Sequence, residues 1–175
     1  MADELKVKQS VIRLIKGDII DLQVEAFVYY ARPDLLLGSG FGGAIVTRGG
    51  PKIQEELKKF GMVNTTDAVV TSGGNLKAKY IIHAVGPRFQ EENLEEKLRN
   101  TMFNALRKAE ENQIQSLAFP AMGVGFYGIP PDVCARETLG TAKKYLETPT
   151  GIREVIFCLK DSYEYKPFQE QIKKM

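Results

Sequence analysis

Residues 117–130 have the sequence LAFPAMGVGFYGIP, and this stretch decides the fold class. Its first part, residues 117–121, is a short apolar run typical of a buried strand. The next part, residues 123–128, is a glycine loop of the spacing G-x-G-x-x-G, and a helical pattern follows over residues 132–146. A buried strand, a glycine loop and a helix in this order favour an α/β sheet.

The same alternation of strands and helices continues on both sides of this stretch. Further strands are predicted at residues 11–15, 26–30, 68–71, 80–85 and 155–159. Further helices are predicted at residues 92–112, at residues 165–174, and at residues 43–60, where Gly49-Gly50-Pro51 divides the pattern into two pieces. Apolar runs separated by amphipathic helices predict a largely parallel sheet with helices on both faces. Ligands of such sheets bind outside the carboxyl ends of the strands.

Composition limits the classes of function. The chain has 175 residues, with 24 Lys and Arg against 22 Asp and Glu, and this near-neutral balance argues against strong, sequence-independent nucleic-acid binding. With one histidine, His83, and two cysteines, a His/Cys metal site would use almost the whole supply of both, so no metal is expected. We interpret His83 as a structural histidine bonded to backbone. Cys134 and Cys158 are interpreted as small buried hydrophobes rather than nucleophiles.

The chain is predicted to be a single domain, residues 1–175, located in the cytoplasm. The charged N-terminus has no apolar core of signal-peptide length, and the longest apolar runs are too short to span a bilayer. Two cysteines form no disulfide framework, which favours a reducing compartment.

A second glycine loop has the same spacing as the first. It comprises Gly38, Ser39, Gly40, Phe41, Gly42 and Gly43, shortly after the strand at residues 26–30. Backbone N–H groups in such loops, with a helix N-terminus behind them, bind anions, and two loops at sheet carboxyl ends predict a ligand with a diphosphate. The aromatic side chains of Phe41, Phe126 and Tyr127 are suited to form walls for a sugar or a base. A Rossmann dinucleotide site is not favoured, because the strand after the Gly38–Gly43 loop ends in Thr71-Ser72-Gly73, with no acid for the ribose.

In order along residues 10–165, the chain resembles a macro domain. The matching segments are Gly17-Asp18-Ile19-Ile20, Val24-Glu25-Ala26-Phe27-Val28, both glycine loops, Arg48-Gly49-Gly50-Pro51, Ile82-His83-Ala84-Val85-Gly86-Pro87 and the run from Ala118 to Pro130. The resemblance implies a three-layer α/β/α sandwich with a mixed, mostly parallel central sheet. It also implies binding of ADP-ribose or a related small molecule, with an ADP-ribosylated protein as a further partner, and with no cofactor.

The resemblance assigns the ligand-binding residues one at a time. Asp18 matches the aspartate that bonds the adenine amino group, Ile19 matches its apolar neighbour, and Tyr127 matches the aromatic beside the distal ribose. The first diphosphate loop corresponds to Gly38, Ser39, Gly40, Phe41 and Gly42, and the second to Gly123, Val124, Gly125, Phe126 and Tyr127. From the residues alone, Asp18 is interpreted as a turn residue after Gly17 and Tyr127 as a partly buried core tyrosine, and Val124 and Phe126 are equally interpreted as packing residues.

Three departures from the family bear on mechanism. Tyr29-Tyr30-Ala31-Arg32 stands where the family usually has Asn-Ala-Ala-Asn, so Arg32 replaces the asparagine that orients the distal ribose in the hydrolases. Gly42 replaces the aspartate that the hydrolases tend to carry in the first loop. Arg32 is either a bidentate partner of phosphate or a solvated arginine. Lys160 stands where the family often stacks an aromatic on adenine, and Tyr163 is the candidate replacement.

Three functions remain open after this comparison. The leading hypothesis is recognition of ADP-ribose or a derivative, because Asp18 and both loops are present. The second is hydrolysis of an ADP-ribose phosphate, ester or acetylated derivative, or of ADP-ribosylated protein, with catalytic residues unknown. The third is an adenine-nucleotide or RNA binder that uses the same base site, against which the charge balance counts.

Overall fold

The computed structural model describes residues 3–175. Seven strands lie in one sheet: β1 (Glu4–Val7), β2 (Ser10–Lys16), β3 (Ala26–Ala31), β4 (Ala68–Ser72), β5 (Tyr80–Val85), β6 (Ser116–Phe119) and β7 (Glu154–Leu159). Their order across the sheet is β1-β2-β7-β6-β3-β5-β4. The five central strands are parallel to one another, and the edge strands β1 and β4 pair antiparallel with their neighbours. The mixed, mostly parallel sheet is thereby confirmed.

Helices cover both faces of this sheet. The helices are α1 (Gly40–Gly49), α2 (Lys52–Leu57), α3 (Leu94–Glu111), α4 (Pro131–Leu146) and α5 (Ser162–Ile172), and a short 3-10 turn spans Ile19–Asp21. One core cluster joins the sheet to α3, α4 and α5, and a second cluster joins its other face to α1, α2 and the 3-10 turn. The three-layer α/β/α sandwich expected from the resemblance is confirmed.

Strand β3 shows why its sequence is apolar without interruption. Val28 and Tyr30 point into the core under α3–α5, whereas Phe27 and Tyr29 point into the core under α1 and α2. All six residues of the strand are buried. A strand covered on both faces has no polar side, so alternation of polar and apolar residues is absent.

The structure corrects two predicted helix starts and adds a strand that was not predicted. Helix α1 begins at Gly40 rather than at residue 43, so part of the first glycine loop is the first helical turn. Helix α5 begins at Ser162 rather than at residue 165, because the Asp161 carboxylate accepts a hydrogen bond from the Glu164 N–H at 3.0 Å and caps the helix. Strand β1 was not predicted, since its charged residues and its short length give it no strand pattern.

The carboxyl ends of the five parallel strands lie at one edge of the sheet. Strand β2 is followed there by Gly17 and Asp18, β7 by Lys160, and β3 by Arg32. Strand β6 is followed by the loop of residues 120–130, and β5 by Gly86 and Pro87. The sheet therefore brings both glycine loops and Asp18 to one edge, as α/β sheets do with their ligand sites.

Candidate functional site

The two glycine loops follow neighbouring strands. Strands β3 and β6 pair directly, with Ala26 opposite Leu117 and Phe27 opposite Ala118. Each loop contains backbone that favours glycine: φ is +64° at Gly38 and +61° at Gly40, and it is +80° at Gly123 and +90° at Gly125. Side chains with a Cβ rarely adopt these angles, so the glycines determine the loop conformation.

Both loops leave backbone N–H groups without a protein partner. Among residues 3–175, six backbone N–H groups in the loops donate no hydrogen bond, those of Gly40, Phe41 and Gly42 and those of Gly125, Phe126 and Tyr127. The N-cap residue of α1, Ser39, makes no side-chain capping bond, so the first helical turn keeps its N–H groups free. Free N–H groups at a helix start, together with those of a glycine loop, favour an anionic ligand.

The first turn of α1 leaves no room for a side chain at residue 42. A Cβ built on Gly42 would collide with the Leu37 carbonyl and would lie 2.6 Å from the Tyr29 hydroxyl. Phe41, in the same turn, packs against Phe27 and Tyr29, with ring centroids 6.2 and 5.0 Å away. Phe41 therefore belongs to the core under α1 as well as to the loop.

Asp18 lies at the β2 end of the site. One carboxylate oxygen, Oδ1, accepts from the Ile20 N–H at 3.1 Å, and the other, Oδ2, accepts from Arg48 Nη1 at 2.7 Å. The hydrogen bond from Arg48, followed by that from Ile20, lowers the pKa of Asp18, so it is a carboxylate at neutral pH. Ile19 is buried beside it. Asp18 thus caps the 3-10 turn at the carboxyl edge of the sheet, and its match to the adenine-binding aspartate stays a prediction.

Arg48 was missed as a site residue in the sequence. It lies in the last turn of α1, and besides Asp18 it contacts Asp21, with 3.6 Å between Arg48 Nη2 and Asp21 Oδ1. Lys77 Nζ lies 3.2 Å from the same oxygen of Asp21. Because α1 begins at the glycine loops and ends at Asp18, Arg48 is close to Asp18 in space although 30 residues separate them in sequence. In the sequence, the one signal for Arg48 is the segment Arg48-Gly49-Gly50-Pro51, which resembles a macro domain.

Tyr127 lies beside strand β3. Its ring contacts Tyr30 edge-to-face at 5.0 Å between centroids, and the Arg88 guanidinium lies 5.5 Å from its ring centroid. Tyr127 is half-buried, and burial raises the pKa of its hydroxyl. Its neighbour Phe126 is 88% exposed, so Phe126 is no core residue. Val124 packs on the core under α4.

Arg32 follows β3 and is half-exposed. Its Nη2 lies 2.7 Å from Asp34 Oδ2, and the other oxygen of Asp34 accepts from the Leu36 N–H at 3.0 Å. The backbone bond from Leu36, and then the bond from Arg32, hold the pKa of Asp34 below its usual range. Arg32 is therefore ion-paired rather than freely solvated, and its remaining N–H donors face solvent.

Lys160 and Tyr163 follow strand β7. The Lys160 side chain is 71% exposed, and Tyr163 is 69% exposed in the first turn of α5. Lys16 Nζ donates to the Ser162 hydroxyl at 2.9 Å, which joins the end of β2 to the start of α5. An exposed aromatic ring thus stands near the carboxyl ends of β2 and β7, at the side where Asp18 lies.

His83 is buried, as expected, but it is not bonded to backbone. Its Nε2 lies 2.9 Å from the Thr71 hydroxyl, whereas its Nδ1 has no partner among residues 3–175. Burial lowers the pKa of His83 to about 3, so the ring is neutral. Cys134 and Cys158 are buried free thiols, and burial raises the pKa of each to about 12, so neither is a thiolate at neutral pH.

The described part of the chain, residues 3–175, has neither a side-chain cluster for a metal ion nor a membrane-spanning helix. No group of three or more His, Cys, Asp or Glu side chains in this part of the chain could hold a metal ion. Of the helices that the structure describes, none is long and apolar enough to cross a membrane.

Comparisons with known proteins identify the fold. Residues 31–138 match the family model of the Macro domain. A macro domain-containing protein of Caldanaerobacter subterraneus subsp. tengcongensis is 42% identical over 168 residues, 91% of this chain and 94% of that protein. The Oceanobacillus iheyensis macrodomain with ADP superposes with a TM-score of 0.93 at 27% identity, covering 98% of this chain and 94% of that one. The Trypanosoma brucei macrodomain in complex with ADP-ribose gives 0.85 at 31% identity, covering 91% and 68%.

Proposed function

This chain belongs to the macro domain family, and on that premise we propose that it binds ADP-ribose or a close derivative at the carboxyl edge of its sheet. The observation that carries the proposal is the set of six free N–H groups in the two glycine loops. A diphosphate fits this set because its oxygens only accept hydrogen bonds and carry negative charge. The related macrodomain of Trypanosoma brucei binds ADP-ribose.

The order of strands supports one orientation of the proposed ligand across the sheet, from the base to the distal ribose. Asp18 follows β2, the second loop follows β6, and Arg32 and the first loop follow β3. In the proposed complex the base lies at Asp18, the diphosphate between the loops, and the distal ribose beside Tyr127 and Arg32, an order that the sequence of these strands across the sheet supports. Asp18 is ionised and accepts hydrogen bonds, which suits it to the amino group of adenine.

Titration calorimetry with ADP-ribose tests this proposal. Binding is expected at about 100 µM protein or below, and no heat at that concentration contradicts it. Asp18→Ala removes the acceptor for the base and is expected to weaken binding by about tenfold or more. Asp67→Ala is the matched control, since it removes an exposed carboxylate just before the edge strand β4, on the far side of the sheet from β2.

We propose recognition rather than hydrolysis as the main activity. A carboxylate cannot stand at residue 42 in this conformation, because the Leu37 carbonyl and the Tyr29 hydroxyl occupy that space. Arg32, at the position of the hydrolases' asparagine, is ion-paired with Asp34. Chromatographic assay of ADP-ribose phosphate, of its acetylated derivative and of ADP-ribosylated protein tests this part. Product formation at the buffer rate is expected, and a rate that depends on protein concentration contradicts it.

The proposal extends to the partner and the compartment. We propose that residues 1–175 act as one domain in the cytoplasm and that the partner is free ADP-ribose or an ADP-ribosylated protein. Two buried free thiols are compatible with a reducing compartment. The exposed Phe126 and the half-exposed Arg32 lie at the distal end, where a protein attached to ADP-ribose would emerge.

A further inference from the structure

The Tyr29 hydroxyl reaches the first glycine loop without a protein partner. It lies 2.6 Å from the point at which a Cβ on Gly42 would stand, in the first turn of α1. Among residues 3–175 it makes no hydrogen bond, whereas three other buried or half-buried tyrosines donate to protein oxygens: Tyr30, Tyr145 and Tyr165. The one buried side-chain polar atom without a partner in this part of the chain is His83 Nδ1, so the unpartnered Tyr29 hydroxyl is reached by solvent.

Packing holds this hydroxyl in one place. The Tyr29 ring is buried in β3, and it meets Phe41 and His83 edge-to-face, with ring centroids 5.0 and 6.0 Å away. A ring that is already fixed on two sides loses little conformational freedom when its hydroxyl binds a ligand. Tyr29 therefore presents one rigid hydrogen-bonding group beside the loop.

The charges around the hydroxyl are those of the distal end of the proposed site. Burial, and then Tyr127, raise the pKa of Tyr29 to about 12, and Arg32 acts in the opposite direction, so the hydroxyl keeps its proton at neutral pH. Tyr127 and Arg32 are the residues that we place beside the distal ribose. A neutral hydroxyl donates and accepts, as the hydroxyl groups of a ribose do, whereas a diphosphate only accepts. The free N–H groups of the loops match the diphosphate, and the Tyr29 hydroxyl matches the sugar.

We propose that Tyr29 is a specificity-determining residue of this site: its hydroxyl forms a hydrogen bond with a hydroxyl group of the distal ribose, and this bond favours ADP-ribose over ADP. The inference rests on the proposed function, since it takes the distal ribose to lie at this end of the loops. Tyr29 belongs to β3 and lies outside both glycine loops, so neither loop motif contains it.

The experiment titrates ADP-ribose and ADP into the wild type, Tyr29→Phe and Tyr80→Phe. Tyr29→Phe removes the hydroxyl and keeps the ring that packs against Phe41. Tyr80→Phe is the matched control, because Tyr80 begins β5 opposite Ala26, at the edge of the sheet away from the loops. The readout is the ratio of the two dissociation constants, ADP over ADP-ribose, which cancels effects on the base and the diphosphate. Tyr29→Phe is expected to lower this ratio about fivefold, the effect of losing one neutral hydrogen bond, and Tyr80→Phe to leave it unchanged.

The ratio decides between the outcomes. A fall of about threefold or more that is specific to Tyr29→Phe supports the inference, and a smaller fall, or an equal fall in Tyr80→Phe, overturns it. An equal loss of affinity for both ligands leaves the ratio unchanged and assigns the hydroxyl to the diphosphate, which also overturns it. A wild type that binds ADP-ribose no better than ADP overturns the inference and leaves the proposed function intact, and a wild type that binds neither overturns both.

Two further measurements keep the test decisive. Where the heat of ADP binding is too small to measure, displacement of ADP-ribose by ADP gives the dissociation constant. If Tyr29→Phe does not fold, the crystal structure of the wild type with ADP-ribose takes its place. A distance of about 3.2 Å or less between Tyr29 Oη and a hydroxyl oxygen of the distal ribose then supports the inference, and a longer distance overturns it.

Discussion

The hydroxyl of Tyr29 stands 2.6 Å from the point at which a Cβ on Gly42 would lie. Tyr29 is buried in β3, and its ring packs against Phe41 of α1. The tyrosine and the glycine therefore form a complementary pair, in which the larger residue of the strand uses the space that the smaller residue of the helix leaves. The resemblance to the hydrolases predicts that both positions depart from those enzymes.

Gly42→Ala is expected to destabilise the protein by about 1–3 kcal/mol, because the added methyl group collides with the Leu37 carbonyl, which is backbone and cannot rotate away. Chemical denaturation of the two proteins measures the difference. Gly140→Ala is the control, since Gly140 lies inside α4 with open space around it. This second change is expected to stabilise the protein by about 0.5–1 kcal/mol. Equal stability of Gly42→Ala and the wild type would show that the Leu37 carbonyl does not restrict the side chain at residue 42.

Tyr30→Phe is expected to lower the free energy of unfolding by about 1 kcal/mol or more. The buried Tyr30 hydroxyl donates to the Pro87 carbonyl at 2.5 Å, and its removal leaves that carbonyl without this donor. Thermal or chemical denaturation measures the loss. Tyr163→Phe removes a hydroxyl from an exposed ring and is expected to change nothing. If both variants lose the same free energy of unfolding, the hydrogen bond from Tyr30 to the Pro87 carbonyl does not stabilise the fold.

His83 makes stability depend on pH in mild acid. Its pKa is lowered from 6.5 to about 3 in the folded protein, so below pH 6.5 the unfolded chain takes up a proton that the folded protein does not. Stability is therefore complete above pH 6.5 and falls as the pH drops toward 3, by up to about 1.4 kcal/mol per pH unit.

Unfolding measured between pH 6.5 and 4.5 in the wild type and in His83→Gln checks this expectation. The variant has no group that titrates at this position, so its profile is expected to be flatter than that of the wild type. Glu164, whose pKa burial raises, acts in the opposite direction, but it is present in both proteins and cancels in the difference. Parallel profiles would show that His83 is protonated inside the fold.

Arg32→Ala is expected to weaken ADP-ribose binding by about tenfold and to change stability by less than about 1 kcal/mol. Its ion pair with Asp34 is half-exposed, so the pair contributes little to folding, whereas its free donors face the distal end of the proposed site. Calorimetry and denaturation measure the two quantities. Arg107→Ala, which removes an exposed arginine paired with Glu111 on α3, is the matched control. Unchanged affinity in Arg32→Ala would place the distal ribose elsewhere.

Most of the fold could be predicted from local patterns in the sequence. The strand predicted at residues 80–85 coincides with β5, because five of its six residues are apolar or aromatic, as in a strand buried on both faces. The division at Gly49-Gly50-Pro51 was also predicted correctly, and it separates α1 from α2. Strand β1 could not be predicted, because its pairing with β2, rather than its own composition, makes it a strand.

The site was harder to predict than the fold, since it depends on contacts between distant residues. Asp18 and the glycine loops have local motifs, but the Arg48–Asp18 pair forms only when α1 crosses from β3 toward β2. The space beside Gly42 likewise depends on the position of the Tyr29 hydroxyl, which comes from a neighbouring element. The partner of His83, Thr71, comes from a neighbouring strand, which alternation within one strand does not reveal.

The pairing of β2 with β7 has a consequence for the order of folding. Val11 pairs with Glu154 and Lys16 with Leu159, and the Gly17 N–H donates to the Leu159 carbonyl at 2.9 Å. The backbone next to Asp18 is thus held by hydrogen bonds to β7, the last strand along the chain. During synthesis, both glycine loops leave the ribosome before β7, which pairs with β2 next to Asp18. Contacts so distant in sequence form slowly, so the backbone at Asp18 is fixed only after the chain of both loops has been made.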